Sequence, residues 1–269
     1  MKHRSVVLLL IMAATVFGCQ KSELTGFDSP AQVYFDFSDA QRDSLLFTFA
    51  YTPAKASDTV YLPVKLLGIR SEQSRSFVVK IDADSTTAVV GKHYKALEPS
   101  YEITANEGIC YVPLILYNTD PLLEDASVRI KFYLEATSQL GVGLPPLSEG
   151  RLVFSSKLER PDWWGMWLGD YYSRVKHQFF LFVTGQTSMT TEGLDAPKNL
   201  YFVSLLNSFL NDPFKWIAKH PESGYTLTKN ADGSYDFYNV SNPDKKVPYV
   251  LDSQAGRYFF MDENGLEVK

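Results

Sequence analysis

The side chains with the widest chemical range in this sequence are its four histidines, and their spacing argues against a metal centre. His3 lies in a leader-like segment, and His93, His177 and His220 are far apart in the chain. Zinc sites take His and Cys ligands at short spacings, which these residues do not show. The sequence also lacks a Gly-x-Ser-x-Gly nucleophile elbow, a phosphate loop and a dinucleotide fingerprint. We therefore expect a protein that is not an enzyme, with a hydrolase as the alternative.

Aromatic side chains are the better candidates for ligand contact. The chain has 16 Tyr, 18 Phe and 4 Trp, and flat rings contact sugars or peptides at a small loss of conformational entropy. Trp163, Trp164 and Trp167 lie within five positions, and we favour a packing role for this group. On a helix Trp163 and Trp167 share a face and Trp164 points away from it. Trp164 is therefore the first candidate for an exposed ligand contact, and Trp216 is the second.

The N-terminal segment has the pattern of a bacterial lipoprotein. A basic stretch, residues 2–4, precedes the apolar stretch 6–14, which is typical of a secretory signal rather than of a membrane-spanning helix. Residues 16–19, Val-Phe-Gly-Cys, resemble a lipobox. We predict that residues 1–18 are a lipoprotein signal peptide and that Cys19 is lipidated. The alternative is ordinary signal cleavage beside a chance cysteine.

The residues after Cys19 predict how the folded part is attached and where it lies. Residues 19–30 are polar and without periodicity, so we predict a flexible tether. The tether resembles those of surface-exported lipoproteins in Bacteroidetes-type outer membranes. If Cys19 carries lipid, the second cysteine, Cys110, has no disulfide partner and is expected to be a small buried hydrophobe.

The charge balance excludes one class of partner. The chain has 26 Lys+Arg against 31 Asp+Glu, a formal net charge of -5. Nucleic-acid binding requires a basic surface that neutralises phosphates. We therefore predict no nucleic-acid partner.

Residues 31–156 have the alternation of an antiparallel β-sandwich. Apolar and polar side chains alternate over residues 60–66 and again over residues 128–134. About seven such runs, separated by turn-like clusters, predict strands with one buried and one wet face.

A longer motif in this half adds detail to the predicted fold. Ala88, Gly91 and Tyr94, followed by a turn at Gly108, give a stretch that resembles the Calx-β module. The resemblance implies an immunoglobulin-like sandwich.

The same resemblance raises the question of calcium. Some Calx-β modules bind calcium through clustered carboxylates, and the resemblance makes Asp82, Asp84 and Asp120 the candidates here. Calcium takes six to eight oxygen ligands, whereas only Asp82 and Asp84 share one face of a strand. We therefore expect solvated turn residues and no cofactor, with a calcium site as the alternative.

Residues 157–269 have a different pattern, which predicts a smaller α+β domain. Residues 198–209 carry apolar side chains at helical spacing, and residues 214–220 predict a second short helix. Strand alternation returns at Tyr225. Residues 173–184 fit either a helix or a strand, because their periodicity does not decide between them.

The layout as a whole points to a family. The lipobox, residues 58–64, residues 91–94 and the segment 167–176 form a combination that resembles a family of Bacteroidetes-type lipoproteins with a domain of unknown function. The resemblance covers nearly the whole mature chain. It implies an accessory partner of SusC/SusD-type nutrient importers and supplies no catalytic residues.

The functional prediction combines this resemblance with the lipobox. We predict a non-catalytic lipoprotein, anchored through lipid to the outer membrane at the cell surface. It would help to capture an oligosaccharide or a peptide for a SusC/SusD-like transporter pair. The alternatives are a structural or adhesive lipoprotein without a small ligand, and a hydrolase.

Overall fold

The structure, a computed structural model, describes residues 30–269. The signal peptide predicted at residues 1–18 and the predicted lipidation site Cys19 lie outside these residues. Within them, no helix is long and apolar enough to span a bilayer. Nine strands form the first part: β1 (Gln32–Phe35), β2 (Leu45–Thr48), β3 (Ser57–Leu67), β4 (Arg75–Ile81), β5 (Tyr101–Ile103), β6 (Ile109–Tyr117), β7 (Val128–Glu135), β8 (Gly141–Val142) and β9 (Glu149–Ser155).

Two sheets pack face to face to form a sandwich, which confirms the predicted immunoglobulin-like fold. One sheet has the order β6-β3-β1-β8 and the other has the order β2-β9-β7-β4-β5. Most neighbouring strands are antiparallel, as predicted. The edge strands β8 and β2 are the exceptions, because each runs parallel to its neighbour.

The sandwich core follows from alternation along the strands. In β1, Val33 and Phe35 are fully buried, and Leu62 and Val64 in β3 are fully buried as well. The ring of Phe35 meets that of Phe132 edge-on at 5.1 Å between centroids.

A glycine lets β9 pass close to this aromatic core. A Cβ added at Gly150 would lie 2.5 Å from Cε2 of Phe132 and 2.8 Å from Cε2 of Phe37. Such contacts are far inside normal packing distance. The close approach of strand and ring therefore depends on the missing side chain.

The second part combines four helices with one antiparallel sheet, as predicted for a smaller α+β region. The predicted helices at residues 198–209 and 214–220 are confirmed, and the sheet has the order β10-β11-β12-β13. The elements are α1 (Trp164–Trp167), α2 (Arg174–Thr184), α3 (Ala196–Asn211), α4 (Pro213–Lys219), β10 (Tyr225–Lys229), β11 (Tyr235–Asn239), β12 (Asn242–Asp252) and β13 (Arg257–Phe260).

Residues 174–184, which the periodicity left open, form helix α2. Its first turn is capped by Ser173, whose hydroxyl accepts a hydrogen bond from the Lys176 amide at 3.1 Å. Its last turn ends at Gly185, whose φ of 66° suits the left-handed conformation of a helix C-terminus.

α2 supplies the centre of a second, largely aromatic core. Phe179 lies 5.1 Å from Phe209 and 4.6 Å from Phe260 between ring centroids. Both contacts are edge-on, the arrangement that aromatic pairs prefer. This core is separate from the sandwich core.

Polar side chains join the two parts. Lys245 of β12 donates to Asn118 Oδ1 at 2.9 Å and to Ser156 Oγ at 3.2 Å, and it lies 3.3 Å from Glu124. Arg174 at the start of α2 lies 3.3 Å from the same glutamate. Lys245 and Glu124 are mostly buried, so each needs the opposite charge of the other. Their pairing therefore fixes how the side chains meet at the interface between the two parts.

Candidate ligand-binding surface

The structure overturns the prediction that Trp164 is exposed. Trp164 is fully buried, and its indole nitrogen donates to the Tyr171 carbonyl at 3.0 Å. Its ring meets those of Tyr172 and His177 at 4.8 and 5.5 Å. The prediction was wrong because α1 is a single turn that begins at Trp164, so spacing along a longer helix does not apply.

Trp216 is half-buried and belongs to the second core. Its ring stacks on that of His220 at 4.5 Å and meets those of Phe182 and Phe209 edge-on at 5.4 and 5.3 Å. These contacts pack α4 against the helices α2 and α3. They leave Trp216 as a packing residue at the edge of this core.

The three predicted carboxylates do not come together. Asp82 accepts hydrogen bonds from the amides of Asp84 and Ser85 at 3.2 and 3.3 Å, which is a local turn. Asp120 is bound elsewhere, as described next. Within residues 30–269, no group of three or more His, Cys, Asp or Glu side chains is placed to hold a metal ion.

Asp120 is the centre of a buried polar cluster in the sandwich. Its carboxylate lies 2.7 Å from His93 Nε2 and 2.8 Å from Lys92 Nζ, and it accepts from the Leu122 amide at 3.2 Å. The Val89 amide donates to His93 Nδ1 at 2.8 Å, so the ring proton must lie on Nε2 and point at Asp120.

The charge of Asp120 is stabilised by these contacts. Burial alone would raise the pKa of the carboxyl group, but the hydrogen bonds from Lys92 and His93 outweigh it and lower the pKa to about 2. Residues 91–94 of the Calx-β-like motif therefore have a structural role here. They tie their turn to the loop before β7.

Two well-exposed aromatic side chains, Tyr61 and Tyr111, lie on the outer face of β3 and β6. Tyr61 lies opposite Pro113, and Pro63 lies opposite Tyr111. The residue between tyrosine and proline is fully buried on both strands, so alternation places all four rings on the outer face. We call these four residues the Tyr–Pro platform.

The tyrosines of the Tyr–Pro platform are free to make contacts. Tyr61 is 61% exposed and Tyr111 is 57% exposed, and neither hydroxyl is hydrogen-bonded within the described part of the chain. As diagonal neighbours on an antiparallel pair, their backbones lie roughly 7–8 Å apart. The platform therefore presents two rings and two hydroxyls on one face of the sheet.

The surroundings of the platform carry little charge. Along the outer faces of β3 and β6, Lys65 is the single charged residue, and its Nζ lies 3.4 Å from the carboxylate of Asp36. Opposite charges at this distance largely neutralise each other. The surface is thus suited to a neutral molecule.

Sequence reasoning missed this platform, although a signal is present. Residues 61–63, Tyr-Leu-Pro, and residues 111–113, Tyr-Val-Pro, have the same pattern. What the sequence does not show is the register, in which each tyrosine faces the other strand's proline. A one-residue shift of either strand would turn the tyrosine and the proline of that strand toward the core.

Comparison with solved structures gives weak likenesses. A Bacteroides ovatus ATCC 8483 protein provisionally described as carbohydrate-binding is 13% identical, with a TM-score of 0.35, over 48% of this chain and 38% of that chain. A Bacteroides ovatus protein of unknown function is 14% identical, with a TM-score of 0.37, over 45% and 43%. The apo CBD1 domain of Calx is 10% identical, with a TM-score of 0.35, over 47% and 97%.

The relation by sequence is clearer. This chain spans less than half the length of either Bacteroides ovatus protein, and no curated protein matches it. Residues 27–186 match the family model described as "Domain of unknown function (DUF4843)", and the match runs through the sandwich and on to the end of α2. The chain belongs to the DUF4843 family.

Proposed function

We propose that this protein is a non-catalytic, lipid-anchored surface protein that captures a neutral oligosaccharide on the Tyr–Pro platform. The observation that carries the proposal is the reciprocal pairing of two exposed tyrosines with two prolines on an almost uncharged sheet face. Tyrosine rings stack on the apolar faces of sugar rings, and their free hydroxyls can bond sugar hydroxyls.

The geometry favours a sugar over a peptide, the other ligand that we predicted. An extended peptide gains most of its affinity by adding a strand to a sheet edge. β6 is an edge strand, but the platform lies on a sheet face, and the backbone groups of β3 and β6 point along the plane of the sheet rather than out of this face. A bound peptide would therefore find side chains but few backbone partners.

The chemistry of the platform supports binding rather than turnover. Its four side chains include no carboxylate, imidazole or thiol that could act as a general acid, a base or a nucleophile. Glycoside hydrolysis usually requires two carboxyl groups across the scissile bond. On this proposal the sugar is held and passed on intact, to a SusC/SusD-like importer.

Affinity gel electrophoresis tests the proposal. The mature protein is run through gels that contain neutral glucan, mannan or galactan, and at least one polymer should retard it. The double variant Tyr61→Ala/Tyr111→Ala should bind at least about tenfold more weakly, because two stacking contacts are lost. Tyr133→Ala, on the other sheet, is the matched control and should bind like the wild type.

Two outcomes would contradict the proposal. Equal retardation of the wild type and the double variant would remove the platform from the binding surface. Retardation by none of the neutral polymers would favour a structural or adhesive role.

The membrane attachment and the partner need separate tests. Mass spectrometry of protein extracted from its native membrane should find the leader removed and acyl chains on Cys19. A pull-down in mild detergent should recover a SusC/SusD-like pair. An unmodified Cys19, or a complex without this protein, would contradict the corresponding part of the proposal.

A further inference from the structure

A second surface with unused chemistry lies where the linker after β9 passes between the two parts. It is a groove of about 720 Å³, within the size range of small-molecule sites. We call it the junction groove. Its walls come from the sandwich, the linker and the second part: Tyr51, Ser127, Ser155, Lys157, Leu158, Glu159, Arg160, Pro161, Asp162, Trp163, His177 and Thr187.

His177 of α2 is the unusual member of this lining. It is 3% exposed, and its Nε2 has no hydrogen-bond partner among the described residues. Its Nδ1 lies 3.2 Å from the hydroxyl of Tyr172. Tyr172 takes up Nδ1, so Nε2 is the ring nitrogen that is left for a ligand in the groove.

Hydrogen-bond counting fixes the proton on this ring. If the Tyr172 hydroxyl donates to Nδ1, only the Nε2 hydrogen lacks a partner. If Nδ1 donates instead, the Nε2 lone pair lacks one, and the hydroxyl hydrogen has no other partner among the described residues. Because each unmet buried polar group costs about 1–3 kcal/mol, the first arrangement is favoured and Nε2 carries the proton.

The surroundings keep the imidazole neutral. Trp163 and Trp164 meet His177 edge-on, with ring centroids 5.8 and 5.5 Å away. Burial among these rings lowers the pKa of His177 to about 4. The neighbouring cation, Lys176, donates to the Leu168 carbonyl at 2.8 Å, so it does not satisfy the imidazole.

The charges along the junction groove are balanced. Lys157 and Glu159 form an ion pair at 3.1 Å. Arg160 and Asp162 are exposed and make no ion pair within residues 30–269. Two cations and two anions leave no net charge, and the wall adds hydroxyls from Ser127, Ser155 and Thr187 together with the exposed ring of Tyr51.

We propose that the junction groove binds a neutral, polyhydroxylated small molecule, a mono- or disaccharide, and that His177 donates a hydrogen bond from Nε2 to one of its oxygens. Because Nε2 is covered in the free protein, a wall side chain must move. We take Arg160 as the side chain that moves, since it is exposed and makes no ion pair among residues 30–269. The groove involves the other sheet from the Tyr–Pro platform, so the two proposals stand or fall separately.

Titration of protein with ¹⁵N-labelled histidine, followed by NMR, tests this site. The probes are glucose, galactose, mannose, N-acetylglucosamine, maltose, lactose and cellobiose, with glucuronate as a charged analogue. The free protein should show His177 protonated at Nε2. At least one neutral sugar should shift that nitrogen in a saturable way at millimolar concentration, a weak affinity on the order of 4 kcal/mol, and glucuronate should not.

Variants separate a ligand contact from a packing role. Tyr51→Ala changes an exposed side chain and should weaken the sugar-induced shift about tenfold. Tyr172→Phe should alter the resting His177 signals, because it removes the group that fixes the tautomer. The platform variant Tyr61→Ala/Tyr111→Ala should leave the titration unchanged, whatever it does to polysaccharide binding.

Three results would overturn the inference. One is a His177 that is protonated at Nδ1 in the free protein. Another is an Nε2 signal that no neutral sugar shifts up to about 50 mM, far weaker than a millimolar site, in which case the N–H faces an indole ring as a packing contact. The third is a shift that persists unchanged in Tyr51→Ala.

Discussion

His93 and His177 are both buried, but their environments differ completely. His93 in the sandwich uses both ring nitrogens, one toward the Val89 amide and one toward Asp120. His177 at the junction uses one nitrogen and leaves the other without a partner beside a groove. A buried histidine whose two ring nitrogens both have hydrogen-bond partners is explained by local folding. A buried histidine with one unpartnered nitrogen requires another explanation, such as a ligand.

The comparison also shows why residue type alone is a weak guide to function. His93 lies in the motif that most resembles a known module, and its neighbour Asp120 was a calcium candidate. The structure places both in a closed cluster with Lys92. The histidine with an unpartnered nitrogen, His177, lies in helix α2, for which the sequence did not decide between helix and strand.

The largest effect should follow from breaking the closed cluster. Asp120→Ala leaves His93 and the Leu122 amide without their acceptor, so the free energy of unfolding should fall by about 3 kcal/mol. Chemical denaturation measures it. Asp84→Ala, at an exposed turn carboxylate, is the matched control and should stay within about 0.5 kcal/mol. Equal losses of stability in Asp120→Ala and Asp84→Ala would mean that the buried cluster does not stabilise the fold.

The pH dependence of stability should separate the two regions. The pKa of folded His177 is about 4, below the unfolded value of about 6.5, so the unfolded chain binds more protons between these values. Stability should therefore fall as pH drops from 6.5 to 4, by up to about 3 kcal/mol from this group. Denaturation of wild type and His177→Phe across this range should show a shallower fall in the variant. Identical slopes would contradict a buried neutral His177.

At pH 8 the two histidines should differ in a smaller, direct comparison. His93→Phe removes one hydrogen bond to the buried Asp120 carboxylate and leaves the Val89 amide without its acceptor, so it should lower the free energy of unfolding by about 2 kcal/mol. His177→Phe loses one hydrogen bond and removes one unmet donor, so it should stay within about 1 kcal/mol of wild type. A larger loss for His177→Phe would reverse our assignment of the two roles.

Much of the fold was predictable from the sequence because alternation and helical spacing are local properties. The strands around Leu62 and Phe132 and the helices α3 and α4 follow directly from them. Helix α2 was undecided because its apolar run is nearly continuous, and Ser173 and Gly185 at its ends decide it.

The binding surfaces were not predictable in the same way. Trp164 was misplaced because the length of α1 depends on packing, and the Tyr–Pro platform depends on a register between strands far apart in the sequence. The free nitrogen of His177 depends on Tyr172 and the surrounding rings. Lipidation of Cys19 stays a prediction from the sequence.

Equilibrium dialysis tests capture without turnover most directly. The mature protein is placed in one chamber, a mixture of neutral oligosaccharides is supplied to both, and mass spectrometry profiles each side. We predict that one size or linkage class is enriched with the protein at unchanged mass, and that Tyr61→Ala/Tyr111→Ala loses the enrichment. Equal profiles on both sides, or new shorter products in the protein chamber, would contradict this prediction.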